Sequence, residues 1–162
     1  MPYLTWLGDG IFISALCLVL LFLKKWLGIF CICANLLASG IAQILKNFVF
    51  GETLRPFAFF EGGQGLHLIP GVEMFSYFSF PSGHTTLAFA TAFCLSLAAK
   101  KQVFKTLLLT LALFTGYTRI YLNQHFFEDV FAGAMVGTVT AMAVYFLLLK
   151  TRWRTHFLSL QP

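Results

Sequence analysis

Apolar residues run through this chain in long unbroken blocks, without alternation, and polar residues gather at the block ends. Five blocks stand out: residues 4–23, interrupted by Gly8-Asp9-Gly10; residues 26–45; a third opened by Pro81-Ser82-Gly83-His84 and running to Ala99; residues 103–117; and a fifth from near Phe126 to Leu149. A helix needs about 20 apolar residues to cross a bilayer. A bilayer also leaves no backbone polar group unsatisfied, so unbroken blocks predict membrane helices. Lys24-Lys25 and Lys100-Lys101 mark the turns between blocks. Residues 46–79 form the longest polar connection, where Gly51, Pro56, Gly62, Gly63, Gly65, Pro70 and Gly71 predict a loop with one short interfacial helix. The expectation is an all-α, polytopic transmembrane helical bundle of about five spans, forming one membrane-embedded domain over residues 1–162.

Composition agrees. Of 162 residues, 59% are hydrophobic and 10% charged, against about half and about a quarter in a soluble domain. The 20 Phe suit a lipid-facing surface. Cys17, Cys31, Cys33 and Cys94 all lie inside apolar blocks with no His or carboxylate at zinc spacing, and read as small core or lipid-facing residues. The first block lacks the basic start and cleavage site of a signal peptide.

Charge sorts by side. With five spans, Lys24, Lys25, Lys100, Lys101, Lys105, Lys150, Arg152 and Arg154, eight of the 11 cations, fall on one side. Lys46, Arg55, Arg119 and all six acids (Asp9, Glu52, Glu61, Glu73, Glu128 and Asp129) fall on the other. The positive-inside rule makes the first side cytoplasmic. The expected location is therefore the cytoplasmic (inner) membrane, with the N-terminus and the polar cluster facing outside. The net charge of +5 is mostly this topological signal. It does not point to nucleic acid, which calls for a basic face on a soluble fold.

The chemistry concentrates in residues 118–129. His125 and Asp129 are four apart and share a helix face. A carboxylate there can hold an imidazole in one tautomer and stabilise it as a cation, which prepares a histidine nucleophile. Lys46, Arg55 and Arg119 stand at the outer ends of different segments. Three cations converging from separate segments suggest an anion with several oxygens, of which phosphate is the obvious candidate. Ser82-Gly83 before a helix adds backbone N–H groups for an oxyanion. Each piece has a plainer reading alone: Lys46 as a snorkelling residue, Arg55-Pro56 as a loop cap, Pro81-Ser82-Gly83 as a helix start. Their concentration on one side of a chain so poor in charge favours a site.

Pro81-Ser82-Gly83-His84, followed by Arg119, five residues, His125, three residues and Asp129, resembles the type 2 phosphatidic acid phosphatases. These membrane lipid phosphatases are related to vanadium haloperoxidases and bacterial acid phosphatases. The family motifs are K-x6-R-P, P-S-G-H and S-R-x5-H-x3-D. The second matches fully. The third matches in spacing, with Thr118 for Ser. The first departs, because eight residues separate Lys46 from Arg55-Pro56. Many members have six spans, one more than is counted here.

The resemblance implies an acid phosphatase/vanadium haloperoxidase-like core and metal-independent hydrolysis through a phosphohistidine, with no cofactor. Under it, His125 attacks phosphorus, Asp129 holds the Nδ1 proton, and His84 protonates the leaving group and then activates water. Lys46, Arg55, Arg119, Ser82 and Gly83 bind the phosphate oxygens. The partners are the bilayer and a membrane lipid phosphate or diphosphate. Undecaprenyl diphosphate is favoured over phosphatidylglycerol phosphate, phosphatidic acid and lipid A 1-phosphate. Residues 57–80 are the candidate lid, with Phe57, Phe59, Phe60, Phe75 and Phe78 in the interface. A lipid phosphotransferase would carry the same motifs. A non-catalytic protein that binds or transports anionic lipid would keep its binding without His125.

Overall fold

The computed structural model describes residues 2–149. The basic residues Lys150, Arg152 and Arg154, and His156, lie outside the described residues. The chain is helical: α1 (Gly10–Leu23), α2 (Lys25–Ile44), the short α3 (Pro56–Phe59), α4 (Gly83–Ala98), α5 (Gln102–Tyr121) and α6 (Phe127–Leu149). Among the described residues there is no strand.

The five apolar blocks become α1, α2, α4, α5 and α6. Among the described residues, three stretches are long and apolar enough to cross a membrane: Lys25–Val49, Gln102–Tyr121 and Phe127–Leu148. Helices α1 and α4 are apolar but shorter, with 14 and 16 residues. The first block differs from its expected form as one span. It breaks at Asp9, where a 3-10 helix over Pro2–Gly8 gives way to α1. The Asp9 side chain accepts from the Ile11 and Phe12 amides, so it caps α1 and turns the chain.

Helices α2, α4 and α6 meet along faces of small residues. Ala34, Ala38 and Ala42 repeat every four residues on α2, and Gly133, Gly137 and Ala141 do so on α6; all six are buried. A Cβ on Gly133 would stand 2.6 Å from the Ser82 carbonyl oxygen, and one on Gly137 would collide with that of Thr86. Backbone contact this close is how helices pack where lipid offers no hydrophobic contrast. Phe30, Cys31, Cys94, Val144 and Tyr145 fill the core farther down, with the Phe30 and Tyr145 ring centroids 5.9 Å apart. Asn35 donates to Cys31 O and accepts from Thr91 Oγ1 at 3.2 Å, a polar tie between α2 and α4.

The outer faces carry exposed apolar side chains such as Ile11, Phe22, Leu36, Val103, Phe131 and Leu147. In water such a surface would drive association; in a bilayer it is the solvated surface. The chain is a multi-pass membrane protein. Its hairpins run α1 to α2 and α4 to α5. Lys24-Lys25 and Lys100-Lys101 therefore sit at the end opposite the starts of α1, α4 and α6.

Candidate active site

The polar cluster forms at the end where α1, α4 and α6 begin and α2 and α5 finish. The α5–α6 connection turns sharply through Asn123, whose φ is +54°, and Gln124. The Gln124 and His125 amides both donate to Arg119 O, at 3.0 and 3.2 Å. This folds His125 back over the end of α5. His125 is 3% exposed and Asp129 2%. Asp129 Oδ2 accepts from three donors: Ser79 Oγ at 2.5 Å, Phe126 N at 2.9 Å and His125 Nδ1 at 3.3 Å. With Nδ1–H facing the carboxylate, the lone pair of the His125 ring is on Nε2. Burial, reinforced by the Arg55 and Arg119 charges and opposed by Asp129, lowers the His125 pKa to about 4. The ring is neutral near pH 7.

His125 opens onto a cavity of about 350 Å³ that is also lined by Lys46, Arg55, Gly83, His84 and Arg119. The three cations arrive from three elements. Lys46 comes from a π turn, Leu45–Val49, which continues α2 past its expected end. That turn and the following loop absorb the wider Lys46–Arg55 spacing, so Lys46 reaches the cavity. Arg55 is fixed by Nε to Tyr77 O at 2.9 Å and Nη1 to Gln124 O at 3.3 Å, with Phe75 stacked 5.2 Å from its guanidinium. Arg119, on α5, donates Nη1 to Thr5 Oγ1 at 2.7 Å. Among the described residues its Nε, which is buried, has no hydrogen-bond partner. Among the described residues, no three His, Cys, Asp or Glu side chains gather in a metal-binding cluster.

Ser82 departs from its expected place. Its amide donates to Asp129 O at 2.9 Å, its Oγ accepts from Thr85 Oγ1 at 3.0 Å, and the residue is fully buried. That amide is not available to an anion. Ser82 instead ties α4 to α6, and Gly83 is the backbone at the cavity. Of the five Phe named in the candidate lid, Phe75 lines the cavity. Phe59 packs against Phe126 at 5.5 Å.

Four residues of this network carry no signature in the sequence. Ser79 holds Asp129. Thr53 Oγ1 receives the Ser79 and Phe80 amides at 3.0 and 3.1 Å and so holds Ser79. Gln124 Oε1 accepts from Arg55 Nη1 at 3.3 Å and Arg119 Nη2 at 3.5 Å, while its Nε2 donates to Glu73 O at 2.7 Å. Thr5 receives Arg119. None stands at a helical or motif spacing from its partner. Only the burial of Gln124 beside His125 distinguishes it, and burial is a tertiary property.

Comparison with known proteins yields the same architecture. The PAP2 superfamily model matches residues 25–153. The crystal structure of Aquifex aeolicus LpxE superposes with a TM-score of 0.77 at 31% identity, covering 88% of this chain and 81% of that one. The chain is 39% identical over 71 residues to Lipid A 1-phosphatase of Porphyromonas gingivalis, 43% of this chain and 16% of that protein. It is also 39% identical over 82 residues to Bacitracin transport permease protein BcrC of Bacillus licheniformis, 51% of this chain and 39% of that one. The chain thus spans well under half the length of these two relatives.

Proposed function

We propose that this chain, which belongs to the PAP2 superfamily, hydrolyses the phosphate or diphosphate monoester at the head of a membrane lipid, at the outer face of the cytoplasmic membrane. One observation carries the reading. A neutral, buried His125 backed by Asp129 faces a cavity ringed by Lys46, Arg55 and Arg119.

In the first half-reaction His125 Nε2 forms a bond to phosphorus and the bond to the leaving oxygen breaks. The proton of His84 passes to that oxygen. Asp129 keeps the Nδ1 proton and offsets the charge gained by the ring. Lys46, Arg55, Arg119 and the Gly83 amide offset the charge on the remaining phosphoryl oxygens. In the second half His84 takes a proton from water, whose oxygen bonds to phosphorus. The N–P bond breaks, its electron pair returns to His125, and inorganic phosphate leaves. The three cations supply the charge stabilisation with no metal in the step.

A lipid tail has a path. An apolar groove of about 340 Å³ between α1 and α2, lined by Cys17, Leu18, Ile32 and Leu36, shares Gly10, Ser39 and Leu87 with the catalytic cavity. A groove joined to the cavity suits a hydrocarbon chain and supports a membrane lipid as the substrate, with undecaprenyl diphosphate the first candidate. A lipid A 1-phosphate is the second reading, on the similarity to a protein named Lipid A 1-phosphatase.

The test is phosphate release in detergent with excess EDTA. Undecaprenyl diphosphate, phosphatidylglycerol phosphate, phosphatidic acid and lipid A are each assayed with a His125→Ala control. EDTA-resistant release that disappears in the control is expected, fastest with the polyprenyl diphosphate. A folded protein that binds these lipids equally well with and without His125, and releases no phosphate, would replace this reading with lipid binding or transport.

A further inference from the structure

The N-terminal segment lies ahead of residues 25–153 matched by the family model, yet it touches residues that line the catalytic cavity at two points. Thr5 accepts from Arg119 at 2.7 Å. Gly8 rests on the first turn of α4, where a Cβ would stand 2.5 Å from His84 O and 2.7 Å from the Thr115 methyl. Only glycine permits that approach. It brings Asp9 beside His84.

The two carboxylate oxygens of Asp9 then do different things. Oδ1 accepts from Ile11 N at 2.8 Å and Phe12 N at 3.4 Å, closing the first turn of α1. Oδ2 faces His84 Nε2 at 3.9 Å. The other charged or titratable groups around the same cavity are Lys46 from the end of α2, Arg55 from the loop, Arg119 from α5 and His125 from the α5–α6 turn. Among the described residues, Asp9 is the acid within ion-pair distance of His84.

We propose that Asp9 is a positioning residue for proton transfer at His84, its Oδ2 stabilising the positive charge the ring carries while it serves as acid. The inference rests on the phosphatase reading above. The carboxylate neither bonds to phosphorus nor receives the proton. When the bond to the leaving oxygen breaks, the proton moves from Nε2 to that oxygen and the ring becomes neutral. Asp9 acts before that moment, its charge offsetting the repulsion that the three cations exert on a protonated ring.

The reading separates from a purely structural one by leaving group. Asp9→Asn keeps a good helix cap and removes the charge, since Asn caps as well as Asp. The measurement is kcat/KM, which reports the steps up to release of the leaving group, for two substrates. A long-chain alkyl phosphate leaves as an alkoxide and needs the proton. p-Nitrophenyl phosphate leaves as a stabilised phenolate and does not. Asp9→Asn is expected to lower the alkyl value about tenfold, part of the roughly 10²–10⁴ that acid catalysis supplies, and the aryl value by less than about twofold. His84→Asn should give the same split more strongly, and Asp9→Ser, which also retains a cap, should repeat it.

Wild-type values for Asp9→Asn on both substrates, or an equal fall on both, would overturn the proposal and leave Asp9 as a cap. His125→Ala keeps the two ideas apart: it must abolish both activities. If it does not, the phosphohistidine reading fails, whatever Asp9 does.

Discussion

Ser79 donates its hydroxyl to Asp129 Oδ2 at 2.5 Å, from a loop 50 residues earlier in the chain. The carboxylate behind His125 is therefore held from two directions, by Phe126 N within its own helix start and by Ser79 across from it. A carboxylate fixed this way presents one oxygen to the imidazole in one orientation.

Ser79→Ala removes that second hold and leaves the cations untouched. A hydrogen bond to a charged group contributes about 1.5–3 kcal/mol, so kcat should fall about 10- to 100-fold while KM stays within about twofold. Steady-state phosphate release measures both. A fall in KM-linked binding with kcat preserved would show that Ser79 serves the substrate and not Asp129.

The His125 ring should titrate far below an ordinary histidine. Burial and the neighbouring arginines lower its pKa to about 4, against the pull of Asp129. It should stay neutral, and able to attack, as pH falls from 7 to 5, and gain a proton only near 4. Asp129→Asn takes away the group that favours the cation, so the midpoint should move lower still. NMR of histidine-labelled protein, with His125→Asn for assignment, follows it directly. A midpoint near 6.5 would contradict the geometry.

Gln124 is the shared brace of Arg55 and Arg119. Gln124→Ala deletes it without changing charge. Both guanidinium groups gain freedom, so binding of an oxyanion should weaken more than turnover. The inhibition constant of orthovanadate, a phosphate-shaped anion, should rise about tenfold, equivalent to roughly 1.4 kcal/mol. An unchanged constant would mean the arginines are held well enough by Tyr77 and Thr5.

The α4–α6 contact should tolerate no added methyl. Gly137→Ala drives a Cβ into the Thr86 carbonyl, whereas a Cβ on Gly40, also helical, meets nothing within 4 Å. Thermal unfolding in detergent should show Gly137→Ala destabilised by about 1–3 kcal/mol. Gly40→Ala should be neutral or slightly stabilising, because alanine is the better helix former.

Much of this protein was legible in its residue order. Apolar blocks predict helices because a bilayer accepts few other backbones, and five blocks became five apolar helices. Gly133 and Gly137 stand four apart below Asp129, a spacing that puts both on one helix face, and that face packs against α4. The local pair His125–Asp129 was visible because a helix start puts such neighbours together. Less visible was the length of the elements: α1 loses its first turns to a 3-10 segment at Asp9, and α2 gains a π turn that carries Lys46. Hydropathy measures how apolar a stretch is, not where its hydrogen bonds change register.

By itself, then, the sequence determined the helical class and the candidate residues for phosphoryl chemistry, because those depend on composition and short-range spacing. The tertiary structure decided who holds whom. Ser79 on Asp129, Gln124 between two arginines, Thr5 on Arg119, Asp9 against His84, and the capture of the Ser82 amide by Asp129 O all join positions far apart in the chain. A hydrogen bond is set by a few ångströms and an angle, and only the packing of separate helices brings such distant groups within that range.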